Sequence, residues 1–256
     1  DDFLTGLLIC WVGLASKFRL LRNNNQKIVI ATHHKVLTGF FGSIFRSFAE
    51  ITDRSISRGR GADVDYTCDI VFDWWSELDF KGLPVNFVGL HVVRDPRDLV
   101  VSAAFYHLRA GSHEPQIHQK KSELGGKSYQ EHIQNLSDLQ DVFLFEMDNS
   151  AGKNIEQMVR WQGDSKISEL RYEDIVDPGK GYIFDQAIEF WDITRSEKAL
   201  LKRLFRFYSW YGAGTKRNSH IRNPAARQHE KYFSHNTLEE FYRRFPHVLT
   251  RLGYWE

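Results

Sequence analysis

Short apolar runs alternate with segments of helical periodicity along the chain. The first run, residues 27–32, is continuous and rich in β-branched side chains, which is typical of a strand buried on both faces. A turn-sized stretch follows at 33–39. Beyond it, apolar side chains recur at helical spacing: Phe40, Phe41, Ile44, Phe45, Phe48 and Ile51. The pattern predicts a strand, a loop and a helix in succession.

Three further apolar runs predict strands, at 69–72, 87–93 and 167–172. The run at 87–93 is followed by Arg94, and Asp95 and Pro96 then provide an N-cap and a first helical position. This is a second strand, loop and helix. Strands that alternate with helices predict an α/β fold, with a central parallel sheet flanked by helices.

Local signals predict helix starts and loops between these elements. Three Ser/Thr-x-x-Glu segments predict capping boxes: Ser128 with Glu131, Thr194 with Glu197, and Thr237 with Glu240. Loops are predicted at Gly59, Gly61 and 112–126. The last of these is long enough to form a mobile segment near a site.

The chain contains no linker-like stretch, so we expect a single domain over 1–256, with an N-terminal helical extension over 1–26 and a core over 27–256. The apolar run at 3–15 is too short to span a bilayer. Its basic residues follow it, whereas those of a signal peptide precede it. We expect an amphipathic helix packed on the core, with contact of 3–22 with a membrane surface as the alternative.

Charge and cysteine content narrow the class of protein. The 34 basic and 33 acidic residues nearly cancel, so no overall bias toward nucleic acid or anionic lipid is expected. Cys10 and Cys68 do not make a disulfide framework, which favours a reducing compartment, the cytoplasm. No Cys/His cluster has the spacing of metal ligands, and we expect no metal cofactor.

Residues 33–39, between the first predicted strand and helix, form a candidate phosphate cradle. Backbone N–H groups at a helix N-terminus favour anions, while Lys35 adds a positive charge and Thr38 a hydroxyl. The stretch is not a Walker A motif, because Gly-x-x-x-x-Gly-Lys-Ser/Thr is absent. The alternative is an ordinary strand-to-helix turn with a surface lysine.

A second candidate anion site begins at the end of the run 87–93. Arg94 offers a forked and permanently charged phosphate contact, and Ser102 follows eight residues later, two turns into the next helix. The alternative makes Arg94 a salt-bridge partner of Asp95 or Asp98.

These elements together resemble the PAPS-dependent sulfotransferase family. The family's 5'-phosphosulfate loop reads Lys-x-Gly-Thr-Thr, and Lys35 and Thr38 match it. Its 3'-phosphate element has an Arg followed eight residues later by a Ser, as Arg94 and Ser102 are here. Tyr172-Glu173-Asp174 resembles the family's Tyr-Glu-Asp segment, whose Tyr lies near the adenine, and Arg222 matches the Arg of the C-terminal element. The resemblance implies a P-loop nucleoside-triphosphate-hydrolase-like sulfotransferase fold.

The chain also departs from the family pattern. Leu37 stands at the loop's Gly, which a negative φ at this position would accommodate, and Gly39 stands at its second Thr. In the C-terminal element, Asn223 replaces a Lys. The two glycines and the Trp of that element are replaced by Pro224, Arg227 and His229.

The resemblance implies transfer of the sulfuryl group from 3'-phosphoadenosine 5'-phosphosulfate (PAPS) to a hydroxyl or amine, with adenosine 3',5'-bisphosphate (PAP) leaving in line. The acceptor would be a small molecule, lipid or glycan. Lys35 would contact the leaving phosphate oxygen, within a cofactor segment of Lys35, Val36, Leu37, Thr38, Gly39 and Phe40. The 3'-phosphate would be held by Arg94, Ser102 and Arg222 beside Asn223, with Tyr172 at the adenine.

A hydroxyl acceptor needs a general base, worth about 10²–10⁴-fold in rate. Many family members place a His upstream of the 3'-phosphate Arg, but residues 69–77 contain none. The candidates here are the carboxylates Asp73, Glu77 and Glu50 and the imidazoles His33 and His34. An acidic phenol or an amine would need no base. The alternatives to a sulfotransferase are a non-catalytic nucleotide-binding module and an ATP-dependent, kinase-like phosphotransferase.

Overall fold

The computed structural model describes residues 26–111, 114–212 and 223–255. Its centre is a five-stranded sheet in which every neighbouring pair of strands is parallel, in the order β2-β3-β1-β4-β5. The strands are β1 (Lys27–Ala31), β2 (Ile56–Gly59), β3 (Ile70–Asp73), β4 (Phe87–Val93) and β5 (Ile167–Arg171). The predicted α/β fold with a parallel sheet is confirmed.

The central strands are covered on both faces. Four consecutive residues of β1, from Ile28 to Ala31, are fully buried, which explains why this strand is continuously apolar. Gly89 in β4 is required by close approach, because an added Cβ would lie 2.2 Å from the Val29 carbonyl oxygen and 2.6 Å from Ile167 Cδ1. The tight pairing of β1, β4 and β5 depends on this glycine.

The helices lie between and after the strands, together with short 3₁₀ turns. The first six are α1 (Thr38–Thr52), α2 (Pro96–His107), α3 (Pro115–His118), α4 (Tyr129–Gln134), α5 (Leu139–Asp148) and α6 (Ser150–Arg160). The rest are α7 (Tyr172–Val176), α8 (Tyr182–Ala187), α9 (Arg195–Tyr208), α10 (His229–Tyr232), α11 (His235–Arg244) and α12 (Val248–Arg251). None of the helices in the described ranges is both long and apolar enough to cross a membrane.

The described residues form two compact units. The sheet unit comprises residues 26–93, 161–212 and 223–225, and it contains the whole sheet. The helical unit comprises 94–111, 114–160 and 226–255. The predicted N-terminal helix, its membrane contact through 3–22, and Cys10 lie outside the described residues.

Helices α1 and α9 of the sheet unit pack through aromatic rings and one buried ion pair. Phe40 contacts Phe205 edge to face at 5.5 Å between centroids, and Phe205 stacks on Phe184 at 4.4 Å. The Arg54 guanidinium donates two hydrogen bonds, of 2.9 and 2.8 Å, to Glu197 Oε1. Both side chains are almost fully buried, so the loss of either would leave the other as an uncompensated buried charge.

The helical unit also has a buried polar pair at its centre. His107 Nδ1 on α2 lies 2.6 Å from Glu146 Oε1 on α5, and both side chains are buried. Burial and the nearby Glu146 charge raise the pKa of Tyr129, whose ring packs edge to face on His107. The pair therefore ties α2 to α5 inside an otherwise apolar contact.

The structure confirms two of the three predicted capping boxes, at Ser128 with Glu131 and at Thr194 with Glu197. The third is wrong. Helix α11 begins three residues earlier, where Ser234 caps it by accepting from the Thr237 N–H. Thr237 Oγ1 instead donates to Gln140 Oε1 at 2.6 Å, because its position inside the helix directs the hydroxyl to a neighbouring element.

Two predicted loops are also partly wrong. Gly59 is the last residue of β2, a strand whose sequence, Ile-Ser-Arg-Gly, lacks an apolar run. The segment 112–126 includes α3 and a 3₁₀ turn at Ser122–Leu124. Pro115 at the first position of α3 explains the local helix start.

Candidate active site

The predicted phosphosulfate loop, residues 33–39, begins at the carboxyl end of β1 in the sheet unit. Val36 N–H donates to the His33 carbonyl at 2.9 Å, which closes a tight turn. Lys35 and Leu37 both have positive φ, of 63° and 59°. The loop thus contains two left-handed residues before the chain enters α1.

Leu37 occupies the left-handed position directly before α1, with φ 59° and ψ 18°. The negative φ that would accommodate a leucine here without strain is not adopted. A non-glycine residue in this region costs roughly 1–2 kcal/mol, and the Leu37 side chain is buried, which offsets that cost by removing apolar surface from water. The loop therefore adopts a glycine-like backbone without a glycine.

The N-terminus of α1 is open to an anion. Leu37 provides no side-chain cap, and the first turn of this 15-residue helix contains no acidic residue. The first backbone N–H groups of a helix lack intrahelical partners and carry the positive end of its dipole. Lys35, three residues before the start of α1, is half-buried.

Thr38 and its neighbours brace the loop. Thr38 Oγ1 donates to the His33 carbonyl at 2.8 Å and lies 3.0 Å from Thr32 Oγ1. Gly39 is exposed, and an added Cβ there would meet nothing within 4 Å. Phe40 stacks on Trp210 at 5.2 Å. The hydroxyl of Thr38 thus stabilises the loop conformation. No close contact requires a glycine at position 39.

Arg94, the first residue after β4, belongs to the helical unit and is only 2% exposed. Asp95 and Asp98, the two carboxylates that the sequence offered as its ion-pair partners, also accept hydrogen bonds from other residues. Asp95 accepts from Arg97 at 3.1 and 2.8 Å, and Asp98 accepts from His229. Ser102 is half-buried on α2, two turns into the helix.

The Asp98 carboxylate ties the C-terminal segment to α2. Burial opposes its ionisation, but hydrogen bonds from His229 and the charge of Arg94 more than offset this and hold the pKa of Asp98 below its usual range. Asp98 is fully buried and His229 nearly so. The residue at the family's Trp position therefore serves here as an anchor for residues 226–229.

Tyr172 is buried at the start of α7, and its hydroxyl donates to the Pro224 carbonyl at 3.1 Å. Asn223 Oδ1 accepts from the Ala225 N–H at 2.9 Å. The Tyr172 ring also contacts Trp210 edge to face at 6.4 Å. Within the sheet unit, the predicted adenine residue thus touches the start of the predicted C-terminal element. Arg222 lies outside the described residues.

Asp73, a candidate base at the end of β3, organises the following turn. Its Oδ1 accepts from the Trp75 N–H at 2.8 Å and its Oδ2 from the Glu77 N–H at 2.7 Å. It is fully buried, and burial raises its pKa despite these bonds. Thr32 N–H donates to the Asp73 carbonyl at 2.9 Å, so this turn adjoins the beginning of the predicted phosphosulfate loop.

The other candidate bases differ in position. Glu77 accepts two hydrogen bonds from Arg60, at 2.8 and 3.0 Å. Glu50 is exposed in the last turn of α1, at the opposite end of the helix from the loop. His34 is half-buried within the loop itself. The structure thus brings His33, His34 and the Asp73 turn to the loop but leaves Glu50 away from it.

The structure reveals a chain of polar side chains that sequence reasoning missed. His33 Nε2 lies 2.9 Å from His91 Nε2, and His91 Nδ1 lies 3.0 Å from Glu169 Oε2. His91 and Glu169 are register partners on β4 and β5. A histidine inside the apolar run 87–93 was the available signal, but its partners depend on strand register.

Both imidazoles of this chain are fully buried. Burial and the neighbouring His91 lower the pKa of His33 well below its usual value. Burial also lowers the pKa of His91, although Glu169 opposes the change. Trp161 stacks on the His91 ring at 4.2 Å with the planes 13° apart, which fixes the ring's orientation. Both rings are therefore neutral at pH 7.

Comparison with solved structures finds proteins that share this fold. Mouse sulfotransferase SULT7A1 complexed with PAP has a TM-score of 0.55 and 16% sequence identity, over 88% of this chain and 84% of that one. Retinol dehydratase in complex with androsterone and the inactive cofactor PAP has a TM-score of 0.51 and 12% identity, over 88% of this chain and 80% of that one. The chain has a sulfotransferase-like α/β fold.

No protein-family model and no curated protein matches the chain. Within the described ranges, no group of three or more His, Cys, Asp or Glu side chains is arranged to hold a metal ion.

Proposed function

We propose that this chain is a PAPS-dependent sulfotransferase, acting on a hydroxyl or amine of a small-molecule acceptor. The observation that carries the proposal is the sulfotransferase-like fold, shared with two structures that hold PAP. In parallel α/β sheets, ligands bind beyond the carboxyl ends of the strands. The phosphosulfate loop follows β1, and Arg94 directly follows β4, the strand beside β1.

Two features of the loop support its role on the 5' side of the nucleotide. The α1 N-terminus carries neither a side-chain cap nor an acidic residue, and Lys35 lies three residues before it in the chain. In an in-line displacement, negative charge develops on the leaving phosphate oxygen, and a positioned cation stabilises it. We assign Lys35 to that oxygen and the first N–H groups of α1 to the 5'-phosphate.

Arg94, Ser102 and Arg222 are proposed to hold the 3'-phosphate, with Tyr172 at the adenine. Arg94 is almost fully buried directly after β4. A buried guanidinium suits a dianionic phosphate, because its donors match two oxygens at once. We also propose a cytoplasmic setting, on the cysteine content alone.

Calorimetric titration with PAP, ATP and AMP tests the proposal. We expect micromolar binding of PAP, selective over ATP and AMP, and at least tenfold weaker binding in Lys35→Ala and in Arg94→Ala. Arg109→Ala, which removes an exposed arginine shortly after α2, is the matched control and should bind PAP as the wild type does.

Each alternative function predicts a different result. A preference for ATP with a Mg²⁺ requirement would indicate a kinase-like enzyme. PAP binding without turnover of PAPS, with any hydroxyl or amine acceptor, would indicate a nucleotide-binding module. Absence of PAP binding would contradict the sulfotransferase proposal.

A further inference from the structure

Two arginines of the sheet unit lie close together without an acidic partner. Arg46 is exposed on α1, and Arg58 is half-buried on β2. Among the described residues, no carboxylate lies within ion-pair distance of either guanidinium, and the buried Nε of Arg58 has no hydrogen-bond acceptor. By contrast, the guanidinium of Arg54 in the same unit donates to Glu197. A buried donor without a partner is rare in native proteins and calls for an explanation.

The Arg58 guanidinium is positioned by two aromatic rings and a glycine. Its Cζ lies 5.6 Å from the centroid of the Phe72 ring and 5.9 Å from that of Trp74, and Phe72 is its register partner on β3. A Cβ added at Gly42 would lie 2.9 Å from Arg58 Nη2. Because a glycine weakens a helix interior, Gly42 is best explained by the room that it leaves for this guanidinium.

The charges of the two arginines repel each other. Burial, and then the charge of Arg46, lower the pKa of Arg58, although a guanidinium stays protonated in proteins. Two neighbouring cations without a carboxylate are unfavourable, and a bound anion offsets their repulsion while it accepts charge-assisted hydrogen bonds. The arginine pair, Arg46 and Arg58, therefore has the charge and the free donors of an anion-binding site.

The arginine pair lies along the helix that begins at the predicted phosphosulfate loop. Gly39, Gly42 and Arg46 are spaced at i, i+3 and i+7, which places them on one face of α1. Gly39 is exposed with open space around it, and Arg46 lies eight residues after the helix start, which is about 12 Å along the axis. Arg58 is the last residue but one of β2, near the carboxyl edge where parallel sheets bind ligands.

We propose that Arg46 and Arg58 bind an oxyanion of the acceptor, a carboxylate or sulfate, so that the enzyme sulfates an acidic small molecule. The inference rests on the proposed function. An acceptor that lies along the Gly39 face of α1 would present its hydroxyl or amine at the helix start and its anionic group to the arginine pair. Arg58, held by the rings, supplies forked donors in a fixed orientation, and the exposed Arg46 adds a second charge.

Two phenols with the same reacting hydroxyl test this site. 3-(4-Hydroxyphenyl)propionate carries a carboxylate, and 3-(4-hydroxyphenyl)propanamide is its neutral isostere. With PAPS at pH 7.5, we expect the KM of the acid to be about tenfold lower, because only the carboxylate forms charge-assisted bonds with the guanidinium groups. Added NaCl should raise the KM of the acid alone. Equal KM values for the two phenols in the wild type would overturn the proposal.

Variants of the site separate recognition of the anion from stability. Arg58→Met keeps the apolar stem but removes the charge, and we expect it to raise the KM of the acid about tenfold while that of the amide stays within twofold. Arg58→Lys should restore part of the preference. Gly42→Ala keeps the arginine but displaces its guanidinium, so it should also raise the KM of the acid, without lowering the urea midpoint.

Arg203→Gln, which removes an exposed arginine of α9, is the matched control and should change neither KM. Equal losses for both phenols in Arg58→Met would mean that the guanidinium is only structural and would defeat the inference.

A spectrum that needs no turnover distinguishes this inference from the proposed function. The ¹H–¹⁵N signal of Arg58 Nε, assigned by its absence in Arg58→Met, should shift when the acid is added to the protein and stay in place with the amide. Such a shift without turnover of either phenol would support the anion site and contradict the sulfotransferase proposal. Turnover without a shift and without a preference for the acid would defeat the inference alone.

Discussion

His229 donates two hydrogen bonds to one oxygen of Asp98, from its backbone N–H at 2.9 Å and from its ring Nδ1 at 2.6 Å. The contact joins residues that are far apart in the chain, one in the first turn of α2 and the other at the start of α10. Because the acceptor is a buried carboxylate, the two bonds are charge-assisted and strong.

Removal of the ring should therefore be costly. We expect His229→Ala to lower the free energy of unfolding by about 3 kcal/mol, since it leaves a buried charge without its main partner. Asp98→Asn, which removes the charge as well, should cost less than His229→Ala. Urea unfolding at pH 7 measures both variants, and the reverse order would contradict this account.

The same pair predicts behaviour in acid. Because the folded-state pKa of Asp98 lies below its unfolded value, its ionisation stabilises the fold above the ordinary Asp pKa of about 3.9, and this contribution is lost as the pH falls through the lowered value. The stability difference between wild type and Asp98→Asn should thus shrink between pH 6 and pH 2.5. A constant difference would show that the charge is irrelevant.

At position 37, a glycine variant should be more stable than an alanine variant, which reverses the usual order of stability inside a helix. Both Leu37→Gly and Leu37→Ala remove the buried side chain, but only alanine retains the penalty of positive φ. We expect the glycine variant to be more stable by about 1 kcal/mol. The matched pair at Ser43, inside α1, should show the ordinary preference for alanine, again by urea unfolding.

The buried pair of Arg54 and Glu197 should matter far more than a surface pair. Glu197→Ala leaves the Arg54 guanidinium buried without its carboxylate, and we expect a loss of about 3–5 kcal/mol. Glu189→Gln breaks the exposed contact with Lys202 and should leave the urea midpoint unchanged. A small effect at Glu197 would mean that water or another acceptor replaces the carboxylate.

The buried imidazoles predict a second pH effect. His33 and His91 stay neutral in the fold because burial lowers the pKa of each. Below about pH 6.5 the unfolded chain binds protons that the folded chain does not, so stability should fall by up to about 1.4 kcal/mol per pH unit for each ring. His33→Gln should flatten this slope between pH 7.5 and 5.5. His235→Gln, at an exposed site, should not.

Buried strands were predictable because both of their faces are covered. Strands β1, β3, β4 and β5 coincide with the predicted apolar segments to within one residue at each end. Strand β2 has no such signature: it lies at the sheet edge and contains Ser57 and Arg58. Its existence depends on pairing with β3, which is a long-range contact that no local pattern reports.

Only the positions of the site residues in the chain, relative to the strands, could be predicted from the sequence. The strand-to-loop junctions at Lys35 and Arg94 follow from the apolar runs before them. The backbone of Leu37 does not, because burial of the side chain overrides the local preference for negative φ. The link from His91 to Glu169 needs the register between β4 and β5, and a shift of one residue would turn Glu169 to the other face.

The strand order has a consequence for the chain as it emerges from the ribosome. Strand β1 pairs with β3 on one side and β4 on the other, so three strands can assemble early. The open edge of β4 is covered only when β5 has been made, after the whole of 94–160 has been synthesised. Parallel strands with an unpaired edge fold slowly and are prone to aggregation. Nascent chains stalled before Ile167 should therefore be the ones that chaperones retain.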